Sequence, residues 1–367
     1  MGVITERAPR KNYVCVQALR AVAAGLVVTH HSISLWLEAI IHRPDQWRWI
    51  NGAAGVDIFF VISGFVMAIS LPGLAGRENK AGVFLTRRFA RVVPLYWAAT
   101  TLMLAQMWAQ KGVAMETLAM RWRVLASYLF IPAQDGNGRL FPIVTVGWTL
   151  NFEVFFYLLF AAALALDVAP VAFLTPCLTG LAMAGLLKTG PWPDVASLAS
   201  PVVIEFLYGM LIAELVTRRR MPGRLLGGGL LGGGFAALMT MRDWPAPWGS
   251  LAWGLSAGAV VLGAVAIEET VGRRLPRWLL AAGDASYATY LSHTFILCIV
   301  AVLLNALHVT GTAALAGAIA LGLAVSFGTG WLVHRYIELP LMGLFGRKRG
   351  AAVVVVQGPL VAGGGVL

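Results

Sequence analysis

Charge is what this sequence has least of. Charged side chains make up 12% of its 367 residues, against about 25% in a typical soluble domain, while hydrophobic residues make up 59%. A water-soluble fold of this length buries much apolar surface but still needs a charged exterior, and too few charges exist to supply one. A soluble globular domain and a disordered chain are both excluded. Cysteine is scarce too. Cys15, Cys177 and Cys298 lie in or beside apolar runs, with neither metal-ligand spacing nor the density of a disulfide framework. The stretch Gly227 to Gly234 lacks the Gly-Lys-Ser/Thr ending of a P-loop and so offers no phosphate cradle of that kind.

What is present is apolar sequence in repeated runs. Ten can be marked, at about 16–37, 53–71, 92–110, 148–166, 170–187, 201–216, 224–241, 250–267, 285–304 and 312–334. A helix needs roughly 17 to 25 residues to cross the hydrocarbon, and lipid cannot satisfy an exposed backbone. The expected fold is therefore all-α, a polytopic integral membrane protein of about ten transmembrane helices. The weakest runs are the short 201–216 and the glycine-laden 224–241. The 28 Lys and Arg outnumber the 17 Asp and Glu. With the N-terminus inside, 20 of the 28 fall in inner segments and 8 in outer ones. That bias favours cytoplasmic termini and makes the basic excess a topology signal rather than a sign of nucleic-acid binding. The run from Val14 to Leu37 is too long for a signal-peptide core and no small-residue cleavage site follows it, so it reads as a first permanent helix. The division expected is a segment 1–13, a transmembrane domain 14–340 and a tail 341–367. The longest outer loop, 111–147, holds an apolar piece, Val124 to Pro132, that either dips into the membrane or lies on it.

Ionisable residues inside spans are costly and so informative. The clearest are His31, Asp57, Glu153, Glu205 and His293. His31 lies eleven residues beyond Arg20, a rise of roughly 16 Å, and an imidazole there serves either helix packing or general-base chemistry. Asp57 and Glu153 enter their helices from the outer side, suited to capping a helix end or to orienting a histidine. Arg87, Arg88 and Arg91 stand just before Pro94, where the third helix is expected to begin; they anchor the inner boundary or clamp phosphates. His293 follows Ser286, Tyr287 and Tyr290 and is placed in the inner half, in polar company that suggests a lined cavity. Arg335 and Glu338 are spaced to pair with each other.

These residues carry a resemblance. Arg20, ten residues and His31 are similar to the first-helix motif of the integral membrane acyltransferase-3 family. Asp57 to Gly64 resembles its second-helix motif, and Phe84 to Tyr96 its third. Trp148-Thr149-Leu150-Asn151-Phe152-Glu153 resembles the Trp-Thr-Leu-x-x-Glu motif, and Ser286-Tyr287-x-x-Tyr290-Leu291-x-His293 the late serine-tyrosine-histidine motif. One departure is Phe295, where many members have proline. The resemblance implies transfer of an acyl group, most often acetyl and sometimes succinyl, from coenzyme A to a sugar hydroxyl of an exopolysaccharide or lipid-linked glycan at the bacterial plasma membrane. It makes His31 the essential histidine, and the buried groups together lead us to expect His31 as base or acyl carrier with Asp57 or Glu153 holding its tautomer. The coenzyme is expected among Arg20, Arg87, Arg88, Arg91, Tyr287, Tyr290 and His293, its pantetheine arm reaching His31 through a polar channel. Tyr287, Tyr290 or Trp148 are candidate oxyanion donors. Acyl-CoA, the glycan, lipid and polysaccharide-assembly proteins are the expected partners; no metal, resident cofactor or nucleic acid is called for. A glycan or anion transporter and a non-catalytic subunit of an export complex are the rivals.

Overall fold

A computed structural model describes residues 13–40, 50–111, 117–241, 248–308 and 311–347. The segments 1–12 and 348–367 lie outside them, and with them most of the two expected end segments. All regular structure among the described residues is helical. The helices are α1 (Val14–Leu35), α2 (Ala54–Ile69), α3 (Lys80–Lys111), α4 (Leu118–Tyr128), α5 (Trp148–Ala165), α6 (Pro170–Leu186) and α7 (Ile204–Thr217). They continue as α8 (Arg224–Thr240), α9 (Trp248–Ala266), α10 (Glu268–Val271), α11 (Arg277–Asp284), α12 (Ser286–Ala306), α13 (Thr312–Val333) and α14 (Leu339–Arg347). Each apolar run of the sequence coincides with a helix. Among the described residues, six segments are long and apolar enough to cross a membrane: Val14–Glu38, Asn51–Ile69, Thr145–Ala165, Gly249–Ala266, Ser286–Ala306 and Ala314–Leu344. α6 is apolar but shorter. The protein is an all-α integral membrane protein, and ten is the number of its apolar helical runs rather than of helices meeting that standard.

One expectation needs correcting. The third helix begins at Lys80, not near Pro94, so Arg87, Arg88 and Arg91 are mid-helix residues and Pro94 lies within α3. Arg, Phe and Leu are good or tolerable helix formers, and a proline in an apolar bundle bends a helix without having to end it. The loop 111–147, whose conformation the sequence leaves open, is helical in part among its described residues. α4 forms within it, capped by the Thr117 hydroxyl. Its C-terminal end lies along α3, where the Trp97 indole donates to Tyr128 O at 2.9 Å and Thr101 Oγ1 meets the Tyr128 hydroxyl at 2.7 Å.

α1 has no capping side chain of its own. Its N-terminus is held from the far end of the sequence, where the Glu268 carboxylate accepts from Val14 N and Cys15 N, each at 2.9 Å. An anion at a helix N-terminus satisfies donors that lipid could not. α1 then runs through the middle of the bundle, touching α2, α11, α12 and α13. Elsewhere α2 packs on α7, and α8 on α9. Phe206 of α7 stacks on Phe156 of α5 with ring centroids 4.4 Å apart and on Phe60 of α2 at 4.9 Å, tying three helices together.

The α2–α7 crossing depends on two glycines. A Cβ on Gly64 would fall on Phe206 O, and one on Gly209 on Val61 O; backbones this close leave no room for a side chain. By contrast Gly232, in the glycine-laden α8, has open space around its Cα. Gly209→Leu is therefore expected to abolish monodisperse protein in detergent size-exclusion chromatography. Gly232→Ala should elute as the parent does, with α8 gaining up to about 1 kcal/mol of helix propensity.

Candidate active site

The helical repeat brings five polar faces together. On α2, Val56, Phe59, Ser63 and Val66 recur at helical spacing. So do Arg88, Arg91 and Val92 on α3, Thr149, Leu150, Glu153 and Tyr157 on α5, and Ser286, Tyr287 and Tyr290 on α12. With Arg20 of α1 they line a cavity of about 100 Å³. Three guanidinium groups, those of Arg20, Arg88 and Arg91, face it against one carboxylate, that of Glu153. The Glu153 carboxylate accepts from the Tyr157 hydroxyl at 2.6 Å and from Ser63 at 3.0 Å. Arg20 Nε donates to Ser286 Oγ at 3.2 Å. Arg88 lies over the Phe84 ring, 5.6 Å from its centroid. Tyr287 donates to Val92 O at 2.7 Å. At the end of the cavity the Tyr290 hydroxyl donates to Val146 O at 2.9 Å and meets Thr149 Oγ1 at 3.0 Å. Beside α1, in α11, burial raises the Asp284 carboxyl above the ordinary carboxylate range, while the charges of Arg20, His334 and Arg91 pull it back.

The histidines stand beyond this cavity. His31 Nδ1 is 3.0 Å from Val27 O and 3.2 Å from His293 Nε2, and His293 Nδ1 is 2.7 Å from Tyr290 O. The two imidazole centroids are 5.0 Å apart. His293 is fully buried and His31 half-buried.

Several sequence expectations change against this geometry. His293 does not join the coenzyme arginines at the inner end; it is the partner of His31. Neither Asp57 nor Glu153 is brought to His31. Glu153 lies in the cavity, and Asp57 faces the fully buried Glu205 of α7 rather than His31. Arg87 is not among the lining residues, unlike Arg20, Arg88, Arg91, Tyr287 and Tyr290. The expected polar channel stops at Phe59 and Tyr290, whose rings lie 6.1 Å apart, and the Tyr290 ring is 5.9 Å from that of His293. Glu338 pairs with His334 at 2.7 Å rather than with Arg335; a π-helical turn over His334–Glu338 turns both side chains to the same face. The partners of Glu153, Ser63 and Tyr157, are not singled out by the sequence reading, although Ser63 lies within the stretch Asp57 to Gly64. The four-residue step from Glu153 to Tyr157 is the signal that marks the second of them.

A cavity lined by three arginines and one glutamate, one aromatic residue from a histidine pair, thus lies among the helices of a membrane protein. The acyltransferase-domain family matches residues 13–335, and the chain belongs to this family of membrane acyltransferases. It is 34% identical over 313 residues to the exopolysaccharide production protein ExoZ of Rhizobium meliloti (strain 1021), covering 84% of this chain and 93% of that protein. It is 28% identical over 336 residues to the acyltransferase MdmB of Streptomyces mycarofaciens, covering 82% and 84%. A third relative, protein 2 in the picA locus of Rhizobium radiobacter, is 28% identical over 163 residues, 40% of this chain and 80% of its own length. No solved structure matches. The protein is an acyltransferase enzyme.

Tyr290 closes the cavity through its hydroxyl. Tyr290→Phe removes both of its bonds while keeping the ring, with an expected cost of about 1–2 kcal/mol in stability, measurable as a lower midpoint in thermal unfolding of the detergent-solubilised protein.

Proposed function

We propose that this enzyme transfers an acyl group, acetyl foremost, from acyl-coenzyme A to a hydroxyl of an exopolysaccharide or lipid-linked glycan. It works in the bacterial plasma membrane with both termini cytoplasmic. One observation carries the donor assignment: three guanidinium groups face the cavity against a single carboxylate. Clustered cations in an apolar bundle, only partly offset by Glu153, Asp284 and Glu338, attract a polyanion, and guanidinium forks match phosphate oxygens. The coenzyme phosphates would lie at Arg88, Arg91 and Arg20, with the pantetheine arm running towards Tyr290. The acceptor rests on the family and on the exopolysaccharide relative.

The chemistry follows from balance. His31 takes the proton of the acceptor hydroxyl as its oxygen bonds to the thioester carbonyl carbon. The carbon–sulfur bond breaks, and the departing sulfur takes the proton from His31, leaving an ester and free thiol. The carbonyl oxygen becomes negative in between and needs donors. Of the three candidates, Tyr290 stands where the cavity approaches the histidines. Glu153, held by Ser63 and Tyr157, lies among the arginines and serves the donor site rather than the imidazole.

Purified protein in lipid nanodiscs, given acetyl-CoA and a glycan acceptor, should release thiol in proportion to ester formed. His31→Ala should lower the rate by about 10²- to 10⁴-fold; undiminished turnover in that variant would remove His31 as base. Arg88→Ala and Arg91→Ala should each raise KM for acetyl-CoA by about tenfold, the worth of a charge-assisted hydrogen bond, with a smaller effect on kcat. Mass spectrometry of glycans from cells with and without the gene identifies the acyl group and the acceptor.

A further inference from the structure

The contact between the two histidines determines where their protons sit. A neutral imidazole has one donor nitrogen and one acceptor. His293 Nδ1 lies 2.7 Å from Tyr290 O, and a carbonyl oxygen only accepts, so His293 Nδ1 carries the proton. Its Nε2 is therefore the acceptor. That atom faces His31 Nδ1 at 3.2 Å, so His31 Nδ1 donates. The second neighbour of His31 Nδ1, Val27 O at 3.0 Å, is also an acceptor and agrees. One assignment satisfies all three contacts, and it leaves the lone pair of His31 on Nε2, the ring nitrogen turned away from His293.

We infer that His293 is a positioning residue for acyl transfer. It holds His31 in the Nδ1–H tautomer, presents Nε2 as the base, and accepts a stronger hydrogen bond from Nδ1–H once Nε2 has taken the proton of the acceptor hydroxyl. The inference rests on His31 being that base. In many base-plus-orienter pairs the second group is a carboxylate. Here the orienter is neutral and fully buried, and a neutral group adds no charge to the membrane interior, where an unpaired carboxylate is expensive. The fixed tautomer is supplied by a main-chain carbonyl, which cannot change its protonation.

Three variants of the full chain in nanodiscs, assayed with acetyl-CoA and a glycan acceptor, separate the possibilities. His293→Phe keeps the ring volume but loses the acceptor, and its kcat should fall about 100-fold with KM for acetyl-CoA within about twofold of the parent. His293→Gln places an amide oxygen near the position of Nε2 and should recover most of that loss. An unchanged kcat in His293→Phe, or a glutamine variant no better than the phenylalanine one, overturns the inference. His31→Ala tests the base assignment separately: full turnover there ends that reading whatever His293 does. A measurement on the parent protein needs no variant to fold well. In ¹⁵N-histidine-labelled protein at neutral pH, the His31 ring should show protonated Nδ1 and unprotonated Nε2, its signals identified by their loss in His31→Ala. The opposite tautomer overturns the inference.

Discussion

A polar group set among membrane helices has no water to turn to, and this structure is organised by that constraint. Each unsatisfied group in hydrocarbon costs several kcal/mol, on the order of a sizeable fraction of a protein's net stability. The partners therefore come from the chain itself. Glu268 closes the N-terminus of α1. Asn51 at the head of α2 donates to Leu238 O and Met241 O at the end of α8, at 2.7 and 2.8 Å. Thr29, Ser32, Thr100 and Thr175 return their hydroxyls to the carbonyl four residues back in their own helices. The first two tie distant parts of the chain together and the hydroxyls bond within their own helices, and together they frame the site.

Against that frame the cavity is the exception. Serine and tyrosine hydroxyls satisfy Glu153, yet Arg20, Arg88 and Arg91 bring more positive charge to the cavity than Glu153 removes. The chain could have neutralised it: Asp57 and Glu205 lie in the same bundle, but they face each other across α2 and α7. Keeping acid and base groups in separate places costs stability in both. It leaves three arginines lining one cavity, with Asp284 and Glu338 near Arg20 as well as Glu153 offsetting part of their charge.

Much of this was legible in the sequence. All ten apolar runs are helices, because a lipid-facing helix must be apolar along its length and hydropathy measures that property directly. The start of α3 was not legible for the same reason. Lys80 to Arg91 is helical but charged, so a hydropathy reading sees only the half beyond Pro94. In the site, Arg20, Arg88, Arg91, Glu153, Tyr287 and Tyr290, all marked in the sequence, line one cavity, while the absence of Arg87 from it and the pairing of His31 with His293 were not legible. Counting along one helix gives height, not rotation or tilt. His31 is about 16 Å above Arg20 and His293 about 10 Å above Ser286. Arg20 and Ser286 touch, so the remaining difference of about 6 Å is within the reach of two imidazole side chains. A shared reference level across helices was the missing quantity, and only tertiary contact supplies it.

Tyr290 then has two duties, carried by different atoms. Its ring lines the cavity and its hydroxyl is tied to Val146 and Thr149, while its main-chain carbonyl accepts the proton of His293. Turning the side chain aside breaks two hydrogen bonds worth about 1 kcal/mol each and opens the cavity towards the histidines. The carbonyl belongs to the helix and does not move with it. Access to the base and the protonation state of the base are thus separable at one residue.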